Sequence, residues 1–277
     1  MSFAALAALA NARPFVASAW GSDVYGANAK HRLLMRLSLR RAAVAMTDSV
    51  DLVKQLEKLG PRSLRTIVLN WGVELERFRP PTHDERAELK ARFGLDPGPV
   101  VLSARGLKEI YNPSVVVEAF ARVRAALPEA QLVLKHGGTE ELLRPEWSEA
   151  PGVKVIGRLD YDQLADLFRA ADITVSVAKS DSSPRSVWEA MAAGSATVVS
   201  DLPWVHELLR NERDTLVVDP NPDVLAEALA RLIRDDSLRG RLVASARKVV
   251  EQHRDQDQEL DRLEKAYREL MERDNRA

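Results

Sequence analysis

The sequence predicts an α/β protein: a complete Rossmann-like domain, with a parallel sheet covered by helices on both faces, preceded by a partial Rossmann-like domain. Two observations carry this expectation. Short apolar runs alternate with amphipathic stretches of helical period along nearly the whole chain. The runs are also continuous rather than alternating, as strands buried on both faces require. With 277 residues the chain exceeds the usual single domain, so two unequal units are expected, with enough length to bury a core without disulfide or metal staples.

Taken in order, residues 1–80 read as the partial first domain. The opening MSFAALAALANARP is expected to be an ordinary helix, since no positive charge precedes its apolar run and the run is too short to span a bilayer. Strand candidates lie at 15–18, 44–46 and 65–69, with helices at 30–42 and 50–59, which makes half of a doubly wound domain. Residues 81–97 read as a linker, because the stretch RPPTHDERAE combines a proline pair with charges. Residues 98–250 hold six strand candidates, at 100–104, 131–134, 153–156, 173–177, 196–200 and 216–218. Helical patterns at 114–127, 162–170, 186–193 and 223–233 separate them. Within 251–277, residues 255–272 form a polar helix with a thin apolar stripe (Leu260, Leu263, Tyr267, Leu270), expected to pack back on the first part.

Composition excludes several functions. The formal net charge of −1 offers nothing to neutralise a phosphate backbone, so no nucleic-acid partner is expected. Cysteine is absent, which removes disulfides, thiolate nucleophiles and cysteine metal sites and fits a cytoplasmic protein. No stretch approaches the length of a transmembrane segment.

The most informative stretch is SDSSPRSVWEAMAAGSATVVSDLPWVHELL, residues 180–209. Asp181 stands eight positions before Glu189, with a Ser/Pro-rich loop between them and an Ala/Met-rich helix after. Ser182, Ser183 and Arg185 lie in a loop whose backbone N–H groups open onto a helix N-terminus, where anions bind. Glu189 is expected in the helix's first turn, where one carboxylate can accept two vicinal hydroxyls such as those of ribose. The competing reading is a helix-capping Asp181 and a Glu189 that merely favours the helix's positive end. A second stretch, VVLSARGLKEIYNPSVVVEAF (100–120), places Arg105 and Lys108 after the first strand of the larger domain, at the carboxyl edge where open α/β sheets bind ligands.

These two segments resemble the signature of retaining family 4 glycosyltransferases of the group 1 type, which have the two-Rossmann GT-B fold. That signature is two Glu separated by seven residues and followed by an Ala-Met-Ala run; the subgroup D-G-T-P-x-S-x-x-E-A-M-A is the most similar. The resemblance implies that Asp181 binds the donor sugar's hydroxyls and Glu189 the nucleotide ribose. The backbone of Ser182, Ser183 and Arg185 would face the sugar and diphosphate, while Arg105 and Lys108 would stabilise the departing diphosphate. This chain departs from the pattern in having Asp181 for the first Glu and Ser182 for Gly; Lys108 also comes one or two positions early. Gly137, in Lys135-His136-Gly137-Gly138, matches the family's Gly-rich loop near the nucleotide, and Arg158 and Leu159 match the backbone cradle for the base. Ile67–Phe78 (IVLNWGVELERF) resembles the hinge segment, with Trp71 in place of its Asn. In the front part, AWGSDVY resembles the cleft loop, with Trp20 where His is usual; Gly21 and Asp23 are retained. Asp23 has an equally simple reading as a turn residue that caps a helix.

Two D-x-D triplets, Asp160–Asp162 and Asp255–Asp257, resemble metal motifs but read as helix starts, the first with a capping box through Gln163. No metal or cofactor is expected. The helix at 30–43 carries Arg32, Arg36 and Arg40 on one face, read as a solvated face of a helix that packs by its leucines, with weak peripheral contact at the inner membrane face as the second reading.

The sequence thus leads to an expected retaining, metal-independent transfer of a sugar from a nucleoside diphosphate sugar, UDP- or GDP-linked, to an acceptor hydroxyl. A non-catalytic nucleotide-sugar-binding module and a GT-B-type epimerase are the alternatives. Only the second half of the family's first domain is matched, so the expectation includes truncation at the N-terminus.

Overall fold

The structure is a computed structural model that describes residues 7–10, 14–138 and 142–274. Residues 7–9 of the expected first helix are helical; the remainder of that expectation falls largely on residues 1–6 and 11–13, outside the described residues. The described strands form two parallel sheets. The first, in the order β1 (Val16–Ser18), β2 (Val44–Thr47), β3 (Thr66–Val68), is interleaved with α1 (Gly21–Val24), α2 (Ala29–Arg41) and α3 (Val50–Glu57).

The second sheet contains β4 (Val100–Ser103), β5 (Gln131–Lys135), β6 (Val153–Ile156), β7 (Ile173–Ser176), β8 (Ala196–Ser200) and β9 (Leu216–Val218). Its order is β6-β5-β4-β7-β8-β9 and every ladder is parallel. Helices α5 (Pro113–Ala126), α6 (Pro145–Ser148), α7 (Tyr161–Ala170), α8 (Arg185–Ala192), α9 (Val205–Leu208) and α10 (Pro222–Arg234) connect the strands. The strand order reverses between β4 and β7. The crevice beyond their carboxyl ends is therefore the topological switch point, where doubly wound sheets bind ligands.

Successive side chains on a strand point to opposite faces, and this sheet buries both. Val101, Leu132, Val175 and Val198 enter one apolar cluster with Phe120 of α5 and Leu229 of α10. Val100, Leu102, Val133 and Val199 enter the other with Phe168 of α7 and Trp188 and Met191 of α8. Two-sided burial is the reason these strands read as unbroken apolar runs.

Three expectations need correction. The segment 81–97 read as a linker contains α4 (His83–Arg92). Its capping box is complete: Glu85 N donates to Thr82 Oγ1 at 3.2 Å, and Thr82 N donates to Glu85 Oε2 at 2.8 Å. The helix packs with few apolar residues, because its buried Lys90 donates to Asp172 Oδ2 at 2.8 Å and to Gly98 O at 2.9 Å, so a hydrophobic pattern does not reveal it. The sequence reading also has no separate element for α11 (Asp236–His253).

The third correction concerns α12 (Gln256–Asp274), which returns to the first sheet. Val73 N donates to Arg254 O at 2.7 Å, and Gln256 N to Val73 O at 3.1 Å. Gly72 makes this crossing feasible: at φ +67° a Cβ there would sit 2.4 Å from Gln256 Cα. The docked face is Glu259, Leu263, Ala266 and Leu270, whereas Leu260 and Tyr267 of the expected stripe are 45% and 47% exposed. A steps-of-three-or-four pattern fits either face, and a small alanine and a charge-satisfied Glu259 occupy the one that packs.

The basic helix α2 likewise packs by Met35, Ser38 and Leu39, leaving Leu33 exposed beside Arg32, Arg36 and Arg40. Among the described residues no helix is long and apolar enough to cross a membrane.

Candidate functional site

At the switch point, the chain leaves β4 through Arg105 into a 3₁₀ turn, Glu109–Tyr111. It leaves β7 through residues 180–184 into α8, whose N-cap, Pro184, supplies no side-chain cap. Between these loops and the front sheet lies a cavity of about 350 Å³. Arg105, Asp181 and Arg185 line it from the large sheet, and Gly21, Asp48 and Trp71 from the small one.

Arg105 pairs through Nη2 with Asp181 Oδ2, donates from Nη1 to Ser186 Oγ at 3.3 Å, and lies 4.6 Å over the Tyr111 ring. Asp181 Oδ1 accepts from Ser182 N at 3.0 Å, and Pro184 holds the helix cap, so the capping reading of Asp181 fails. Burial pushes the Asp181 carboxyl above its usual range, with Arg105 pulling against it.

The two serines link the halves of the molecule. Gly21 N donates to Ser182 Oγ at 3.2 Å, and that hydroxyl donates to Asp48 Oδ2 at 2.9 Å. Ser183 Oγ accepts from Asn70 Nδ2 and from Trp188 Nε1, both at 2.9 Å. A side chain at position 21 would press on this contact, since its Cβ would lie 2.9 Å from Ser182 Oγ. The hydroxyl that distinguishes Ser182 from the family's glycine is thus spent on the cleft's closure.

Glu189 is the fifth residue of α8, one turn deeper than expected, and only 4% exposed. Arg185 Nε lies 3.0 Å from Glu189 Oε1, and its guanidinium sits 5.2 Å over the Tyr161 ring while donating to the phenol oxygen. Burial raises the Glu189 carboxyl against the pull of Arg185; burial, then the charge of Glu189, pushes Tyr161 up to about 12. Arg185 both lines the cavity and binds Glu189, so it joins the cavity to a second polar cluster that includes Lys135, whose ammonium burial holds down.

Other expected residues fall elsewhere. Lys108, Gly137 and Arg158 are exposed and do not line the cavity; Leu159 is half-buried against the core. Between Arg105 and Lys108 the chain turns at Gly106, at φ +83°, before the 3₁₀ turn. Asp23 Oδ2 accepts from Trp20 N at 3.0 Å at the start of α1, as the capping reading has it. Asp160 caps α7, accepting from Gln163 N at 2.8 Å, with Asp160 N donating back to Gln163 Oε1 at 3.1 Å.

Asp48 and Asn70 are the site residues that sequence reasoning missed. Thr47-Asp48-Ser49 reads as a helix start, and Ser49 does cap α3, accepting from Leu52 N at 3.2 Å. That leaves Asp48 free for the cleft. It is pushed up to about 6, chiefly by burial and further by Asp181, with the Ser182 hydroxyl and Arg254 opposing.

Comparison with known proteins bears on the fold and the family. The chain is 27% identical over 190 residues to a GDP-mannose-dependent monoacylated alpha-(1-6)-phosphatidylinositol monomannoside mannosyltransferase of Corynebacterium glutamicum, an alignment covering 65% of this chain and 50% of that one. It is 28% identical over 190 residues to a D-inositol 3-phosphate glycosyltransferase of Xylanimonas cellulosilytica, covering 64% and 45% respectively. The chain spans about half the length of the curated relatives it matches. Among solved structures, sucrose-phosphate synthase from Thermosynechococcus elongatus aligns with a TM-score of 0.78 at 21% identity, over 92% of this chain and 67% of that one. The Anabaena HepE protein in complex with UDP and glucose aligns with a TM-score of 0.83 at 17% identity, over 95% and 73%. These likenesses show the GT-B arrangement of Rossmann-like domains. The family model for glycosyl transferases group 1 matches residues 85–249, more than half of the chain, from within α4 to within α11, and the chain belongs to that family.

Proposed function

We propose that this chain binds a UDP- or GDP-linked sugar and transfers the sugar, with retention, to an acceptor hydroxyl without a metal ion. The observation that carries the reading is the convergence of Arg105, Asp181 and Arg185 on one cavity at the β4–β7 switch point, inside the family-matched segment. Ribose would lie on Glu189, the diphosphate between Arg105, Arg185 and the N-terminus of α8, and the sugar against Asp181. Guanidinium–phosphate bonds are charge-assisted, worth roughly 1.5–3 kcal/mol each, and here replace those that Arg105 and Arg185 make to carboxylates. In the reaction the bond between the sugar's anomeric carbon and the phosphate oxygen breaks. The acceptor oxygen bonds to the same face of that carbon, and the acceptor proton passes to the departing phosphate. Arg185 takes the cationic role that the sequence assigned to Lys108. The exposed Arg32, Arg36, Arg40 and Leu33 of α2 would give a weak contact with an anionic membrane surface.

The test is calorimetry with UDP, GDP, ADP and their sugars, followed by product analysis for anomeric configuration. Binding of one diphosphate family with turnover to the α-anomer from an α-donor is the expected outcome. Binding without turnover on any acceptor would favour a non-catalytic nucleotide-sugar module, a reading to which the Trp20–Trp71 stack in the cleft lends itself. No heat with any nucleotide at millimolar concentration would sink the proposal.

A further inference from the structure

We propose that the front wall of the cavity is a subsite for a neutral saccharide, which lies against the Trp71–Trp20 indoles and hydrogen-bonds to Asp48. The subsite deepens the transferase reading by naming the acceptor class, and its role as an acceptor site rests on that reading.

The first observation is aromatic. Trp20 and Trp71 stack with ring centroids 6.0 Å apart and planes 20° from parallel. Both line the cavity, and Trp71 is 50% exposed there. An exposed indole carries a large apolar face that folding alone would bury. The π face is electron-rich, so it attracts the weakly positive C–H groups that a pyranose presents on one side. An indole held flat by a second indole keeps that face in place with little loss of rotamer freedom on binding.

The second observation is charge. Among the described front-half residues that line the cavity, Asp48 alone is ionisable with a charge near neutral pH, and that charge is negative. The cavity's cations, Arg105 and Arg185, are on the opposite wall and already face Asp181 and Glu189. A phosphorylated ligand against Trp71 would meet a carboxylate with no cation on its own wall. A polyol would meet an acceptor for its hydroxyls.

The third observation is the state of Asp48. It is 6% exposed; Oδ2 accepts from Ser182, while Oδ1 is buried with no hydrogen-bond partner from any other described residue. An unpaired buried acceptor is costly, and such groups concentrate where a ligand supplies the missing donor. Asp48 and Asp181 line the same cavity, one from the front half and one from the large sheet, so the carboxylate faces the donor-sugar wall. A hydroxyl bound to Asp48 would stand next to the sugar that Asp181 is proposed to hold.

The experiment uses the full chain saturated with whichever of UDP or GDP binds. Methyl glycosides of glucose, mannose and galactose, and glucose 6-phosphate as the charged contrast, are titrated by calorimetry. At least one methyl glycoside should bind in the millimolar range, more tightly than glucose 6-phosphate. Trp71→Ala should weaken it tenfold or more, and Trp71→Phe should restore most of the loss. Asp48→Asn should also weaken it, and Trp71→Ala should change nucleotide affinity less than twofold. Trp71 is exposed, so its substitution leaves the fold intact and keeps the test decisive. Nucleotide binding with no methyl glycoside bound up to 100-fold above the millimolar range, tighter glucose 6-phosphate binding, or glycoside binding indifferent to Trp71→Ala would each overturn the subsite. Glycoside binding without nucleotide binding would support it while removing the donor reading.

Discussion

Three carboxyl groups, Asp48, Asp181 and Glu189, surround the cleft, and burial raises all three above their usual range. Raised carboxyls have a definite consequence for stability. In the native state burial pushes Asp48 up to about 6 from an ordinary value of 3.8, so between those pH values the folded chain holds a proton that the unfolded chain has released. The contribution is fully present below about pH 4 and is lost as pH rises through about 6, amounting to roughly 2–3 kcal/mol at one pKa unit per 1.36 kcal/mol. Asp48→Asn should therefore raise urea stability at pH 8 relative to wild type and flatten the decline between pH 4 and 6. An unchanged profile would remove Asp48 as a source of the slope. Arg105→Ala and Glu189→Ala should each weaken nucleotide binding by about 1–3 kcal/mol, nearly additively, because phosphate and ribose are separate contacts. Wild-type affinity in Glu189→Ala would end the ribose assignment. Asp181 and Glu189 were legible in the sequence because a short loop and one helix fix their spacing, and Arg105 because it directly follows the first strand of the large sheet. Asp48 and Asn70 were not, because their partners Ser182 and Ser183 lie 134 and 113 positions away.

At the scale of elements, the strands were readable because both faces of the large sheet are buried and the runs stay apolar. Polar packing hid α4, which docks by Leu89 and a buried Lys90, and it hid the docked face of α12, though not the helix: that face is Glu259 and Ala266 as much as Leu270. Glu259 is 4% exposed, paired with Arg262 at 2.6 Å, and its Oε2 accepts from Asn70 N at 3.0 Å, which is how a charge comes to face inward on a surface helix. The entry to α12 depends on Gly72. Gly72→Ala must move the Gln256 backbone and adopt a left-handed φ with a Cβ present, a combination expected to cost more than about 2 kcal/mol. Urea unfolding measures the total, and hydrogen exchange should place the loosening in α12 and β3 rather than in the large sheet. A variant as stable as wild type would show that this crossing is softer than its contacts indicate.

The whole molecule is held together across the cleft by contacts distributed along it. Besides the Gly21–Ser182–Asp48 chain and the Asn70–Ser183 bond, Glu207 accepts from Val50 N and Asp51 N, both at 3.0 Å, at the start of α3. On the front half itself, Arg65 Nη2 donates to Glu269 Oε2 at 2.6 Å and ties the far end of α12 to the first sheet. The count of strands and their grouping could be read from sequence, but not the way the two sheets meet, since each of these bonds joins residues more than 100 positions apart. Their distribution makes the cleft a mechanical unit, in which a ligand on the large sheet should be felt by the small one. A nucleotide at 100 times its dissociation constant adds about 2.7 kcal/mol to the state that binds it. If Ser182 couples the halves, that stabilisation should slow amide exchange in residues 20–25 and 46–49 as well as in 105–111 and 180–189. Ser182→Gly should keep the protection of the large-sheet loops and lose much of that in the front loops. It also leaves Asp48 without its hydroxyl donor, which should lower overall stability by about 1–3 kcal/mol. Hydrogen exchange on both proteins, with and without nucleotide, separates these terms. Front-loop protection that is absent in wild type, or that survives undiminished in Ser182→Gly, would mean that the serine bridge does not transmit binding from one sheet to the other.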